Sequence, residues 1–167
     1  MRILAIDPGT EQSAALVYRD GCMERAGIYP NEELVTRICG GRPEHRCGTH
    51  CIVGDVLAIE MIASYGMPVG ASVFETCVWI GRFIQEFGGP HEMVYRREVK
   101  LHLCDSPRAK DGNVRRALID RFPATGGGKD PQIGIKKKPG PLYGFHDDMW
   151  AALGVAITFA ERGEGTT

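Results

Sequence analysis

No apolar run in this 167-residue chain approaches the ~18 consecutive residues that a membrane-spanning helix needs. The N-terminal stretch Met1-Arg2-Ile3-Leu4-Ala5-Ile6-Asp7 meets an acid too early for a secretory leader. Neither charge dominates, with 20 Lys+Arg against 21 Asp+Glu, and no internal repeat is visible beyond two short acid-ended segments. Secreted, membrane-spanning, collagen-like and disordered classes are thereby set aside, and a cytoplasmic location is expected. What remains, at 43% apolar residues, is an ordinary globular composition. It predicts a single domain over 1–167 that holds its core without disulfide staples.

The near-zero net charge hides a division. Between Arg96 and Lys138 the balance is +7, and over the rest of the chain it is −8. A basic surface for a polyanion beside an acidic region of different purpose is one reading; chance clustering on solvated helices is the other. The six cysteines, at 22, 39, 47, 51, 77 and 104, read as buried thiols or metal ligands rather than disulfides. Cys77 falls on an apolar helix face, as a small buried hydrophobe would.

The run Ile3 to Ile6, ended by Asp7-Pro8-Gly9-Thr10, reads as a strand buried on both faces. Strands over Ala14 to Tyr18 and Cys22 to Ile28 follow, joined by the hairpin signal Asp20-Gly21. Asn31 is a candidate N-cap for a short helix to about Cys39. Residues 40–54, rich in Gly, Cys and His, are expected to form a loop. Val56-Leu57-Ala58-Ile59-Glu60 repeats the design of the first strand. From Ser72 to Phe87, Val73, Phe74, Cys77, Ile80, Ile84 and Phe87 recur at helical spacing, and Gly88-Gly89-Pro90 stops the helix. A strand over Met93 to Tyr95 and a helix from about Ala109 to Phe122 come next. That helix should carry Val114, Ala117 and Leu118 inward, with i,i+4 pairs Asp111–Arg115 and Arg116–Asp120 outward. Residues 123–145, with their glycines, prolines and three consecutive lysines, predict a long flexible basic loop. A last helix should begin near His146 or Asp147 and end near Gly163, with Leu153, Ala156, Ile157 and Ala160 on its apolar face. Strands, hairpin and helices in this order predict one α/β layer fold.

Chemistry concentrates at the two acid-tipped strands. Sites in open α/β sheets form outside the carboxyl ends of strands, so parallel neighbours would bring Asp7 and Glu60 side by side. Such a pair repels unless a cation lies between the groups or one of them takes a proton, and oxygen donors of this kind suit Mg²⁺ or Mn²⁺. The alternative is that each acid simply ends its strand in water. His146-Asp147-Asp148, at the start of the last helix, offers a third group, with Asp147 also a candidate N-cap.

Ile3-Leu4-Ala5-Ile6-Asp7-Pro8-Gly9-Thr10 resembles the first motif of RuvC-type Holliday-junction resolvases, in the RNase H-like nuclease superfamily. Val56-Leu57-Ala58-Ile59-Glu60 matches that family's second acidic strand, and Asp148-Met149-Trp150-Ala151-Ala152-Leu153-Gly154-Val155-Ala156 resembles its final helix. Phe74-Glu75-Thr76 and Lys137-Lys138-Pro139-Gly140-Pro141-Leu142-Tyr143-Gly144 look like small phage-encoded relatives, which would place the protein in a bacterial or phage-infected cell. The resemblance implies an RNase H-like five-stranded mixed sheet with an antiparallel hairpin strand, flanked by helices. It implies a homodimer that cleaves four-way DNA junctions with two Mg²⁺ or Mn²⁺ ions per site, held by Asp7, Glu60 and Asp148. The family adds an acid or His one helical turn later, where this chain has Ala151; Asp147 or His146 would have to substitute.

Arg96, Arg97, Lys100, Arg108, Lys110, Lys136, Lys137 and Lys138 are the candidates for gripping phosphates, which gives affinity without sequence reading. Lys110 has the further advantage of a helix N-terminus. A solvated helix face is the competing account for Arg115 and Arg116. Phe74 is either a wedge against a base or a core residue. The cluster Cys39, His45, Cys47, His50 and Cys51 could bind structural Zn²⁺, against a default of free thiols. Asp-x-Gly-Thr also opens the phosphate hairpin of actin-like and sugar-kinase ATPases, but those need a second lobe that 167 residues cannot supply. A nuclease for RNA or flaps, or a non-catalytic junction-binding module, stays open beside the junction nuclease.

Overall fold

The apolar run after Met1 forms β1 (Arg2–Asp7), which lies at the centre of a five-stranded sheet in the computed structural model, whose described residues are 1–39 and 51–164. With β2 (Gln12–Arg19), β3 (Cys22–Pro30), β6 (Val56–Met61) and β7 (His91–Tyr95) the strand order is β3-β2-β1-β6-β7. The β1–β2 and β2–β3 pairings are antiparallel, and β1–β6 and β6–β7 are parallel. Asp20 and Gly21 both take positive φ, as a tight two-residue hairpin requires.

Pleating sorts the central strands into two faces. Leu4, Ile6, Leu57 and Ile59 pack with Ile80, Phe83 and Phe87 of α2 (Ala71–Phe87). Ile3, Ala5, Val56 and Ala58 pack with Ala152, Leu153, Val155 and Ala156 of α5 (Met149–Glu164). Being covered on both sides is why these strands read as unbroken apolar runs rather than alternating ones. Continuing the alternation past Ala5 and Ala58 sets Asp7 and Glu60 on the α5 face.

Several local expectations are corrected. Asn31 does not cap a helix; it is the first residue of α1 (Asn31–Arg37), behind Pro30, and is buried. Its amide nitrogen donates to the Gly9 carbonyl at 3.0 Å, and its side-chain oxygen accepts from the Ser13 hydroxyl at 2.6 Å. It thus ties down the turn that follows Asp7. Helix α1 stops two residues early, because Ile38 turns extended into β4 (Ile38–Cys39). The expected loop 40–54 is shortened by β5 (Ile52–Val53), which pairs with β4 in parallel; residues 40–50 lie outside the described part. Helix α2 presents Thr76, Ile80, Phe83 and Phe87 inward. The inward stripe is therefore rotated from the expected one: Phe74 is 62% exposed and Cys77 half-buried. Thr76 can take a buried place because its hydroxyl donates to the Ser72 carbonyl at 2.9 Å. Gly88, in the left-handed conformation with φ 59°, ends the helix where expected.

An unexpected helix, α3 (Arg96–Cys104), follows β7 directly and buries only Val99 and Leu103. Helix α4 (Asp111–Ile119) is shorter than expected, with Val114 and Leu118 inward. Of its two expected pairs Arg116–Asp120 forms, at 2.7 Å. Asp111 turns instead to Arg96 and Lys100, and Arg115 lies over the Trp150 ring at 4.5 Å.

Residues 123–145 are a loop as expected, built mostly of turns and bends with no helix. They fold back on themselves through β8 (Gly134–Ile135) and β9 (Lys138–Pro139), leaving Lys136 and Lys137 at an exposed tip. The cause is glycine. A Cβ on Gly126 would lie 2.6 Å from the Pro131 carbonyl oxygen, one on Gly134 would collide with the Gly140 nitrogen, and one on Gly140 with the carbonyls of Pro131 and Gln132. Backbone packs on backbone there, and buried Leu142 and Phe145 pin the segment to the core. Replacing Asn31 with Ala leaves the Ser13 hydroxyl and Gly9 carbonyl without their partner. We expect a loss of about 1–3 kcal/mol in denaturant titrations; an unchanged midpoint would show that the turn holds without it.

Candidate active site

The parallel register Ile3↔Val56 through Ile6↔Ile59 carries on to Asp7 and Glu60 at the strand ends. Their backbones are neighbours at about the 4.8 Å spacing between strands, with both side chains on the α5 face. Both are largely withdrawn from water. Burial, then the nearby Glu60 and Asp148 carboxylates, push the Asp7 carboxyl up to about 8, against a smaller opposing pull from Arg96. Glu60 is also raised, chiefly by burial, with Arg96 the main opposing influence. Its Oε2 is buried and accepts no hydrogen bond. A carboxylate oxygen in that condition is costly unless a cation comes to it.

Asp148 stands immediately before α5, its carbonyl accepting from the Ala151 and Ala152 amides at 3.0 and 3.1 Å. Its charge acts on both Asp7 and Glu60, so the three acids, far apart along the chain, share one electrostatic neighbourhood. The helix starts later than expected because Asp147 adopts a left-handed φ of 43°. Asp147 is not the cap; its carboxylate pairs with His146 Nδ1 at 2.9 Å, and both side chains are mostly exposed.

Arg96 comes to this edge because β7 pairs with β6 and α3 begins at the next residue. Its Nη1 lies 3.7 Å from Glu60 Oε2, and its Nη2 donates to Asp111 Oδ1 at 3.0 Å. Lys100 Nζ reaches the same Asp111 oxygen at 3.2 Å. These two cations hold the Asp111 carboxyl below the usual carboxylate range. Arg96 lines two adjoining clefts. One, of about 370 Å³, includes Asp111, Arg115, Asp148, Trp150 and Ala151; the other, of about 400 Å³, includes Tyr65, Arg97, Lys100 and Arg108.

Arg97, Lys100 and Arg108 are thus brought together, while Lys110 precedes the first turn of α4 and Lys136–Lys138 occupy the hairpin. Arg116 is committed to Asp120 and Asp130. Cys39 lies in β4 and Cys51 is half-buried, whereas His45, Cys47 and His50 of the expected zinc cluster lie outside the described residues. Sequence reasoning missed Asp111 and Tyr65. Asp111 stands four residues before Arg115 and so reads as half of a surface pair; only the tertiary approach of α3 redirects it.

As positioned, no three Asp, Glu, His or Cys side chains among the described residues converge closely enough to hold an ion. Three carboxylates without a cation repel one another. Asp7 and Glu60 directly follow the paired residues Ile6 and Ile59 of adjacent parallel strands, so their side chains would have to turn toward each other to share one. The donor set fits a hard divalent ion: it is oxygen only, its Asp7 and Glu60 members are largely desolvated while Asp148 is exposed, and the Glu60 Oε2 is unsatisfied.

No protein-family model and no curated protein matches the chain. Among solved structures it is similar to Thermus thermophilus RuvC, at 16% identity and a TM-score of 0.62, covering 100% of this chain and 98% of that one. It is equally similar to T. thermophilus RuvC in complex with a Holliday junction substrate, at 16% identity and 0.62, covering 100% and 97%. The fold is thereby RuvC-like, an RNase H-like α/β fold with a five-stranded mixed sheet flanked by helices, as the sequence resemblance implied.

Because its folded pKa is raised, Asp7 keeps a proton that the unfolded chain has already released between about pH 4 and pH 8. Its contribution to stability is full at low pH and is lost as pH rises through about 8. In EDTA, Asp7→Asn should therefore melt higher than the native chain above pH 7, by about 2–4 °C for each kcal/mol relieved. The two should converge toward pH 4; calorimetric melts from pH 4 to 9 that run parallel would contradict this electrostatic account.

Proposed function

We propose that the chain is a divalent-metal-dependent endonuclease that hydrolyses phosphodiesters in four-way junctions or related branched DNA. The observation that carries the reading is the desolvated Asp7–Glu60 pair, with one buried oxygen unsatisfied, beside Asp148 on a RuvC-like fold. One structural neighbour, a complex with a Holliday junction substrate, suggests the substrate class. The whole chain would form one nuclease domain of the small phage-encoded kind. Among the described residues no helix is long and apolar enough to cross a membrane, which accords with work on cytoplasmic DNA.

A phosphodiester is anionic and repels hydroxide, so unassisted hydrolysis is slow. Asp7, Glu60 and Asp148 would hold Mg²⁺ or Mn²⁺ rather than attack phosphorus. The sequence reading expects two ions per site; bound metal supplies Lewis acidity that activates water, neutralises non-bridging oxygens and steadies the leaving 3′-oxygen. Asp7 retains its proton up to about pH 8 until a cation displaces it. Metal binding therefore releases a proton, and cleavage should rise with pH toward that value.

Grip on the duplex falls to Arg97, Lys100 and Arg108 in their shared cleft, to Lys110, and to the hairpin lysines Lys136, Lys137 and Lys138. Phe74, exposed on α2, is available to press on a base at the branch. The dimer would use the same side of the sheet: Val78 on α2 is 62% exposed, and Met93 of edge strand β7, in register with Ile59, is 44% exposed.

A labelled four-way junction incubated with and without Mg²⁺, beside flap, duplex and RNA substrates, tests the reading. Asp7→Asn should bind the junction within a few-fold of the native chain and cut none of it; undiminished cutting would remove Asp7 from the site. Salt-sensitive binding with no Mg²⁺-dependent product from any substrate would leave a junction-binding module. Replacing Lys136 and Lys137 with Ala should flatten the slope of log K against log salt by about 2. An unchanged slope would take the hairpin out of the DNA interface.

A further inference from the structure

We propose that Arg96, aligned by Asp111, is a resident cation of this site and stands in place of a second metal ion, so that each active site works with one divalent ion. The inference rests on the nuclease reading above and revises the expected ion count.

The first ground is position. Arg96 is the first residue of α3, and one of its guanidinium nitrogens faces the unsatisfied Glu60 Oε2 at 3.7 Å. The other is fixed by Asp111 at 3.0 Å, and the same Asp111 oxygen takes Lys100 at 3.2 Å. Guanidinium does not lose its proton in a protein, so this charge persists at every pH of interest. A second divalent ion at Glu60 would meet it at short range and be repelled.

The second ground is the supply of donors. The acids lining the 370 Å³ cleft are Asp111, Asp147 and Asp148. Asp147 is turned outward to His146, and Asp111 is committed to two cations. One turn into α5 from Asp148, where a helix brings side chains back to the same face, stand Ala151 and Ala152. Asp7, Glu60 and Asp148, once their side chains turn onto it, would fill one ion's shell together with water; of the other acids lining this cleft, Asp111 is held by two cations and Asp147 is paired with His146.

The planar fork of Arg96 matches two phosphate oxygens. It would donate hydrogen bonds to the non-bridging oxygens of the scissile phosphate and transfer no proton. Asp111 is then a positioning residue, which keeps Arg96 and Lys100 in line at the boundary of the acidic and basic clefts.

Mn²⁺ titration followed by calorimetry and by the electron paramagnetic resonance of free Mn²⁺ tests this, with and without a four-way junction. The wild-type chain should take up one ion in both cases. Arg96→Gln, checked for native circular dichroism, should bind that ion about tenfold more tightly, since a neighbouring positive charge is gone. It should cut about 10²–10³ times more slowly at saturating Mn²⁺. Arg96→Lys should recover part of that rate, and Asp111→Asn should keep one ion while cutting about tenfold more slowly. Two Mn²⁺ ions per junction-bound wild-type chain would overturn the proposal, as would an Arg96→Gln protein that binds Mn²⁺ no more tightly. One ion in the wild type and tightened binding in Arg96→Gln, with no cutting of any branched DNA, would uphold the resident cation and sink the nuclease reading.

Discussion

Burying Asp7 and Glu60 side by side costs free energy in every state that lacks a compensating positive charge. Much of the surrounding structure serves to impose that arrangement. The two parallel strands carrying the acids are covered on both faces, and a one-residue slip of either would drive its Leu and Ile side chains into the space that Ala5 and Ala58 occupy beneath α5. Asn31 and Ser13 pin the turn that leaves Asp7, and β7 delivers Arg96 to the rim. A scaffold this strongly specified can hold an electrostatically unfavourable centre, and desolvated centres of that kind are where perturbed protonation and function coincide.

Legibility in the sequence followed how local each cause was. The acid-tipped strands could be read because few arrangements besides a doubly buried strand call for a short unbroken apolar run bounded by a turn. Asp20-Gly21 could be read because its left-handed conformations are intrinsic to those residue types. Asp148 was reachable only through family resemblance; a carboxylate before a helix is otherwise an ordinary capping group. Helix α3 was illegible because only Val99 and Leu103 of its nine residues are buried, leaving too thin an apolar stripe to show helical spacing. Helix α2 has the opposite difficulty. Its apolar residues cover so much of its circumference that Phe74 and Phe83 compete for the inward face, and packing against Leu57 and Ile59 decides for Phe83.

Asp111 illustrates a subtler failure. Four residues before Arg115 on a helix, it satisfies a local rule, and the local rule loses. Arg115 finds the Trp150 ring, and Asp111 finds two cations from a different helix. Exposed intrahelical pairs are worth only a few tenths of a kcal/mol, so two tertiary charges at once outweigh them. The candidate site therefore divides in two: Asp7 and Glu60 are visible in the strand pattern, whereas the pairing of Arg96 with Glu60 and of Arg96 and Lys100 with Asp111 is visible only in three dimensions.

The glycine-packed segment after Pro123 bears on how the chain would meet a polyanion. Ordering a pliant backbone at the moment of contact costs on the order of 1–2 kcal/mol per residue. Here the close packing at Gly126, Gly134 and Gly140 has met that cost during folding. The lysine tip arrives preorganised, so its association should be governed by long-range steering rather than by a search through loop conformations, with little heat-capacity change from the hairpin itself.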